Sequence, residues 1–486
     1  MTGFPTNDQI YSHIKELTKW GHRKTGTAEG RNSAEYIAGK FNEYGLKDVS
    51  IEKVKCDVCT PEYWDLIVNG SSIPSYYING TFKNGKLGRN SLGKNGMTKE
   101  IVYLGEGWEK DFEEKDVKDK IVVCDIRFKK FDDQTILEYA PVKPHIYDPD
   151  NVTQISRNRR DIFSPYNWPY NYFYAQVRGA AGFIGILTDY FDSCEYYNED
   201  YLEFAVGFDM ETMSLPGLWI SKSSGEKLKQ QIQGKKSEAT IIMDSVCEEK
   251  DALNVYGILP GESPEIILAH SHHDAVYDGA VQDGSGISEM LALAEYYSKS
   301  DKKDRAKTLM FAATDTHFEG YIAHQDFIDR RKDEKQDIIL DVSIEHIGKE
   351  VELDENNNAV LTGYTDTRVF YVSGSSKLMD IATNSIEKND LQRSLIFGIP
   401  AKKDRIVDET HEFKQDEIIS DAFLFHKAGT GVVSVVSPQM YIFHPSDKLD
   451  KVAFEDLQSV GLTFRDIIDE ASKYSKDELG VIGLID

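Results

Sequence analysis

Eighteen consecutive residues, AHSHHDAVYDGAVQDGSG at 269–286, concentrate side chains suited to holding a metal ion. His272 and Asp274 form an H-x-D triplet, and Asp283 follows in a Gly/Ser turn. If the preceding PEIILA is a strand running into a loop, His272 and Asp274 leave its C-terminal end toward one cleft, and Asp283 returns from the next turn. A buried strand followed by a polar loop would also show one such triplet, so its weight depends on partners elsewhere. Nine of the 12 histidines fall between His270 and His444. Candidate ligands follow successive strands at His272, Asp283, His317, Glu345 and His444, where an open α/β sheet places its binding crevice. Imidazoles and carboxylates suit zinc, with Mn or Fe as alternatives. Such an ion polarises a carbonyl oxygen and lowers the pKa of its bound water from about 15.7 to about 7. Amide hydrolysis uses both effects.

The elements that must position these residues can be read from periodicity. Ile10, Ile14, Leu17 and Trp20, then Ala34, Ile37, Ala38 and Phe41, recur at helical spacing and predict two helices between Asp8 and Tyr44. The loop GHRKTGTAEG separates them, and DVSIEKVKC alternates like a strand. From about Lys99, short β-type runs (IVYLG, KIVVC, AAGFIGILTD, ATIIMD) alternate with polar and aromatic loops. After Asp251 the α/β alternation resumes and continues to VVSVVS near the end. The expected organisation is a catalytic α/β domain made of 1–98 and 248–486, with a β-rich domain inserted at 99–247. The acidic DELGVIGLID at the end reads as a small helix and a tail.

Composition narrows the partners. The chain has 486 residues, long enough for two or three domains, and 56 Lys plus Arg against 82 Asp plus Glu give a formal charge of -26. That charge argues against nucleic acid and against an anionic membrane face. The first 20 residues hold no apolar core of signal-peptide length, and no apolar run approaches a membrane span. The expectation is a soluble, cytoplasmic protein; association with a second copy is left open. Five cysteines, an odd number, predict no disulfide framework and a reducing compartment. Cys56 and Cys59 form a lone C-x-x-C, and a zinc knuckle would need a second such pair.

The motifs together resemble the co-catalytic zinc exopeptidases, the family of bacterial aminopeptidases, glutamate carboxypeptidase II and the transferrin receptor ectodomain. HHD at 272–274 resembles the family's H-x-D, and GAVQDGSG at 279–286 its G-A-x-D-x-G-S-G. GHRKTGTAEGRNSAEYIAGKFNEYGL, NVYGILPG and SDAFLFHKAGTGVVSVVS with IFHPSDKLDKV resemble its opening, middle and closing segments. DVKDKIVVCDI, VRGAAGFIGILTD and SLPGLWISKSSGEKL are similar to a protease-associated domain. The resemblance implies a three-layer α/β/α sandwich with a mixed central sheet and a protease-associated insertion. It also implies one or two zinc ions, a bridging Asp283, a last ligand at His444, and Asp274 accepting the second N–H of His272.

Departures fall on the catalytic groups. The family carries two adjacent glutamates after the strand matching KTLMFAAT, a general base and then a ligand; here the run is Asp315, Thr316, His317, Phe318, Glu319. Aligned without a gap, His317 takes the ligand position and Thr316 the base position; aligned on Gly320, His317 takes the base position. Imidazole ligates and phenyl does not, which favours the first, with Asp315 and Glu319 as substitute bases. Glu345 stands for an aspartate ligand, and Phe443 for an oxyanion-binding tyrosine, with Tyr441 two residues earlier. A base contributes about a hundred- to ten-thousandfold, and an oxyanion donor about a hundred- to a thousandfold. The expected function is a metallohydrolase acting on a peptide or small amide, with altered catalytic groups. The alternatives are a catalytically silent binding or scaffold protein, and a hydrolase or transferase of a non-peptide small molecule. Strand alternation turns His273 and His346 away from the site. His411 is a candidate substrate contact or a surface residue, and the aromatic run at 164–176 a pocket wall or an interdomain contact.

Overall fold

In the computed structural model of the chain, residues 3–131, 144–151, 159–202, 205–355, 357–373, 375–399 and 418–479 are described. The centre of the fold is a mixed sheet. Strand Ser263–His272 runs parallel to Lys307–Thr314 on one side and to Ile338–Ile344 on the other, and Gly431–Val436 continues parallel to Ile338–Ile344. Arg368–Ser373 pairs antiparallel to Gly431–Val436, and Glu238–Leu259 antiparallel to Lys307–Thr314.

Alternation along these strands builds two cores, because successive side chains face opposite sides of a sheet. Ile267, Ala269, Leu309, Phe311 and Ala313 pack with the helices Asn7–Leu17, Gly284–Ser298 and Leu457–Ala471. Ile266, Leu268, Met310 and Ala312 pack on the other face with Phe327 of helix Ile322–Asp333 and Phe425 of helix Phe423–Lys427. Three layers, α/β/α, result, and His270 and His272 extend the second face.

The two N-terminal helices are Asn7–Leu17 and Ala28–Glu43, each capped by a threonine hydroxyl, Thr6 and Thr27. The strand expected from DVSIEKVKC is far longer, 22 residues at Lys47–Val68. It lies antiparallel along Glu238–Leu259, also 22 residues, from Lys47↔Ile258 to Val68↔Ala239. Both expected boundaries, 98 and 247, fall inside strands, in Met97–Tyr103 and Glu238–Leu259. Met97–Tyr103, Ile121–Ile126, Gly182–Leu187 and Gly217–Ser221 form a parallel set continuous with the main sheet through Glu238–Leu259. The aromatic run supplies core here: Trp168 is buried, 4.7 Å from Trp219 and 5.8 Å from Phe183 between ring centroids.

One expectation is overturned. Cys59 and Cys247, directly opposed on the paired strands, form a disulfide, so the cysteine count no longer argues for a reducing compartment. Pairing across the sheet, 188 residues apart, leaves no local signal. Among the described residues no helix is long and apolar enough to cross a membrane. His411 and the end of the C-terminal tail lie outside the described residues.

Candidate metal centre

The segment 273–283 leaves the central strand and is held from two directions. The buried Arg23 guanidinium donates to the carbonyls of His273, Leu17, Asp278 and Gly279 at 2.9–3.3 Å. Asp447 accepts from the backbone N–H of Val281 at 2.8 Å and Gln282 at 3.0 Å. Burial pulls the Arg23 guanidinium down to about 10 and pushes the Asp447 carboxyl up to about 7.

His272 is buried at the strand end. Its Nδ1 lies 2.9 Å from the Asp274 carbonyl and 3.3 Å from Asp274 Oδ1, two acceptors, so Nδ1 carries the proton. Its Nε2 is buried without a partner. A fixed tautomer with one bare nitrogen is the state of a histidine ready to ligate. Burial opposes ionisation of Asp274, but the hydrogen bond from His272 and the charge of His317 hold its carboxyl below the usual range.

His317 stacks on His272 with ring centroids 4.0 Å apart and planes 10° apart. It follows Thr316, a β-branched residue at φ 74°, a backbone strain of about 1–3 kcal/mol of the kind that clusters at functional sites. Its Nδ1 lies 2.9 Å from Asp421 Oδ1 and its Nε2 2.9 Å from Glu199 Oε1. Burial disfavours the charge, but the two carboxylates outweigh it and hold the ring protonated well above the usual histidine range. A metal at His317 must displace a proton. The potential ligand atoms of His272, His317 and Asp421 lie within 4.8 Å of one another. This set fits a divalent ion by donor type and by the bare Nε2 of His272.

Other expected residues occupy different places. Asp283 caps helix Gly284–Ser298, accepting from Gly286 N at 3.2 Å, His346 N at 3.1 Å and the Ser271 hydroxyl. Burial raises its carboxyl to about 6. Gly286 admits no side chain, since a Cβ would collide with the Ile344 carbonyl and the Asp283 carboxylate. Glu345 Oε1 accepts from Asp421 N at 3.0 Å and Ser343 Oγ at 3.2 Å; burial, with Asp421 and Asp283 beside it, pushes its carboxyl well up. His444 is not in the cluster: its ring lies 4.5 Å from Phe191, and its Nδ1 2.8 Å from Ser446 Oγ.

Asp315 serves the scaffold, accepting from Thr25 Oγ1 at 2.5 Å, Leu253 N at 2.8 Å and Thr316 N at 2.7 Å. The Thr316 hydroxyl accepts from Ala323 N. Glu319 is buried, and its carboxyl rises to about 7 despite Lys83 and Lys24. Tyr441 donates its hydroxyl to the Lys349 carbonyl at 2.7 Å, which removes it as an oxyanion donor. His273 and His346 bond backbone carbonyls of Leu253 and Ser437.

Sequence reasoning misses Asp421 and Glu199. Asp421 sits in the SDAFLF segment, where Ser420-Asp421 just before helix Phe423–Lys427 is the one readable signal. Glu199 comes from the 99–247 interval. Its neighbour Asn198 is locked to Asn79 and to Trp219 Nε1, and Asp200 to Lys83 at 2.8 Å.

His272 and His317, at and just past the ends of parallel strands of an α/β/α sandwich, and Asp421, just before helix Phe423–Lys427, form a donor set suited to a divalent metal ion. Residues 254–468 match Peptidase family M28, so the chain carries a domain of that family. No curated protein matches the chain in sequence. Among solved structures, a zinc aminopeptidase from Bacillus subtilis aligns over 99% of both chains at 19% identity and TM-score 0.64. An aminopeptidase from Aneurinibacillus sp. strain AM-1 aligns over 99% of this chain and 95% of its own at 17% identity and TM-score 0.59. A peptidase M28 precursor from Shewanella amazonensis SB2B covers the same shares at 14% identity and TM-score 0.66. These similarities show the fold.

Proposed function

We propose that the chain is a metal-dependent hydrolase of the aminopeptidase type that cleaves an amide bond in a peptide or small amide, using catalytic groups unlike the family's glutamate pair. The observation that carries this reading is the meeting of His272, His317 and Asp421 inside the M28 domain, with His272 Nε2 bare. These residues would hold the ion, zinc being expected, with Asp283 and Glu345 as further carboxylates close by. When bound, the ion polarises the amide carbonyl and makes a nucleophile of its water near neutral pH.

The chain's own groups do the rest. Asp274 fixes the His272 tautomer, and Asp421 orients His317 through Nδ1. Glu199 Oε1, on a side chain 14 % exposed, is placed to hold a proton beside His317. Glu319, with its carboxyl near neutrality, is the second proton carrier. Asp315 drops out, because its oxygens are spent on the scaffold. We read residues 99–247 as a protease-associated-type insertion that reaches the site through Glu199.

The catalytically silent alternative is favoured by the self-satisfied state of His317, both of whose nitrogens are taken by the chain's own carboxylates. Zinc content and hydrolysis of aminoacyl-nitroanilides decide. The expected result is stoichiometric metal and activity that falls at least about a hundredfold in His272→Ala. Metal-free protein, with neither activity nor thermal stability changed in His272→Ala, sinks the hydrolase reading. Activity confined to N-acyl or cyclic amides would move the substrate to the non-peptide class.

A further inference from the structure

The motif loop decides what charge reaches the His272–His317 pair. Asp447 holds the backbone N–H groups of Val281 and Gln282, and the Ser285 hydroxyl donates to the Val281 carbonyl at 2.8 Å. Gly279, at φ 53°, closes the turn so tightly that a Cβ there would collide with the Ala275 side chain and the Gln282 carbonyl. So fixed, the loop uses two neighbouring residues differently. Gln282, fully buried, brings its carboxamide to the histidines: Nε2 lies 3.2 Å from His317 Nε2, and Oε1 is buried without a partner. Asp283 is spent elsewhere, one oxygen accepting from Gly286 N and His346 N and the other from the Ser271 hydroxyl. The sequence agrees. Read letter for letter, GAVQDGSG sets Gln282 opposite the carboxylate of G-A-x-D-x-G-S-G, and Asp283 one place later.

The donors present suffice for a single ion. Among the described residues, the ligand atoms that gather here come from His272, His317 and Asp421, and neither Asp283 nor Glu345 joins them. Asp421 faces His317 Nδ1 with one oxygen at 2.9 Å and His324 Nε2 with the other at 3.0 Å. Glu345 Oε1 accepts from Asp421 N and Ser343 Oγ. Three protein donors are the complement of one catalytic zinc, whose fourth position stays open to water. A pair of ions stands about 3.5–4 Å apart, and two dications that close in a buried site repel strongly unless an anion lies between them. A carboxamide is neutral whichever way it is turned, so Gln282 cannot supply that anion.

We propose, on the metal-dependent reading above, that the centre binds one divalent ion rather than a pair. Gln282 sets this number by placing a neutral amide where a second ion needs a carboxylate. Water and substrate carbonyl then share one ion, and proton transfer falls to the chain's own carboxyls.

Metal analysis after zinc loading and exhaustive dialysis counts the ions. The wild type is expected to retain one zinc per chain and His272→Gln none. Gln282→Asp and Gln282→Glu supply the missing charge, and at least one of them is expected to retain two, with a larger zinc-dependent rise in Tm than the wild type shows. Two ions in the wild type overturn the proposal and leave the hydrolase reading standing, whereas a zinc-free wild type overturns both. One ion in a protein that hydrolyses no amide upholds the proposal and removes the hydrolase reading. If both Gln282 variants fold and still hold one ion, Gln282 does not set the number and the proposal is overturned. Should neither variant fold, electron paramagnetic resonance of the unaltered protein loaded with manganese(II) decides. The spectrum of isolated ions is expected, and an exchange-coupled pair overturns the proposal.

Discussion

Asp274 acts on the metal centre through another residue's proton. By accepting from His272 Nδ1 it leaves Nε2 bare, so Asp274→Asn should weaken zinc binding about 10- to 100-fold without unfolding the chain. Competition with a chelating indicator measures this, and unchanged affinity would remove Asp274 from the centre. His317 sets the pH dependence. Burial lowers its pKa, but Asp421 and Glu199 raise it further, so the proton is retained far above the usual range. That raised folded pKa stabilises the metal-free fold most below the unfolded value, about 6.5, and the contribution fades as pH rises through the folded value. Zinc must displace the proton, so its affinity should rise about tenfold per pH unit while His317 stays protonated. Calorimetric titrations from about pH 6 to 8 check the slope, and a flat profile would exclude His317 as a ligand. His272, Asp274 and Asp283 are legible in the sequence because they crowd into one motif. Asp421 and Glu199 are not, because they meet His317 across 104 and 118 residues. Nor does spacing reveal that Asp283 spends its oxygens on a helix cap.

The motif loop is placed by partners far from it in the chain. Arg23 collects four carbonyls and Asp447 two amides. Arg23→Met, which keeps much of the apolar volume, strands four buried acceptors and should cost about 3 kcal/mol or more. The urea midpoint should drop with an unchanged m-value, and a midpoint within error of wild type would show that water replaces the guanidinium. The helices at Asn7–Leu17 and Ala28–Glu43 and the central strands are legible because period 3.6 and period 2 are clear in their apolar residues. The 22-residue length of Lys47–Val68 is not. Its burial pattern weakens toward exposed residues such as Glu62 and Tyr63, and only pairing with Glu238–Leu259 keeps it extended.

At the scale of the whole molecule, the N-terminal segment, the loop between strands Ser75–Tyr77 and Gly88–Ser91, and the 99–247 interval meet around Glu319, through Lys24, Lys83 and Asp200. Burial lifts the Glu319 carboxyl to about 7. A raised folded pKa favours the fold below the unfolded value, about 4.3, and that advantage is lost as pH rises through about 7. Glu319→Gln should remove this loss. Relative to wild type it should gain about 3 kcal/mol between pH 4 and 8, because each tenfold difference in proton affinity between folded and unfolded chain is worth about 1.36 kcal/mol. Denaturation at the two pH values checks it, and a constant difference would place the charge in water.

The two long strands, Lys47–Val68 and Glu238–Leu259, carry a constraint on how the chain can vary. They pair residue against residue over nearly their whole length, with register shifts only near Lys47/Ser50 and Pro61/Tyr63. A single residue added to either strand would slip every later pair and turn alternate side chains to the wrong face. Among them are Val54, Cys56 and Val58, which pack on Ala252 and Ala323. The ribbon can therefore grow or shrink only by matched changes in two segments nearly 200 residues apart, while the loops beyond it are free to differ in length.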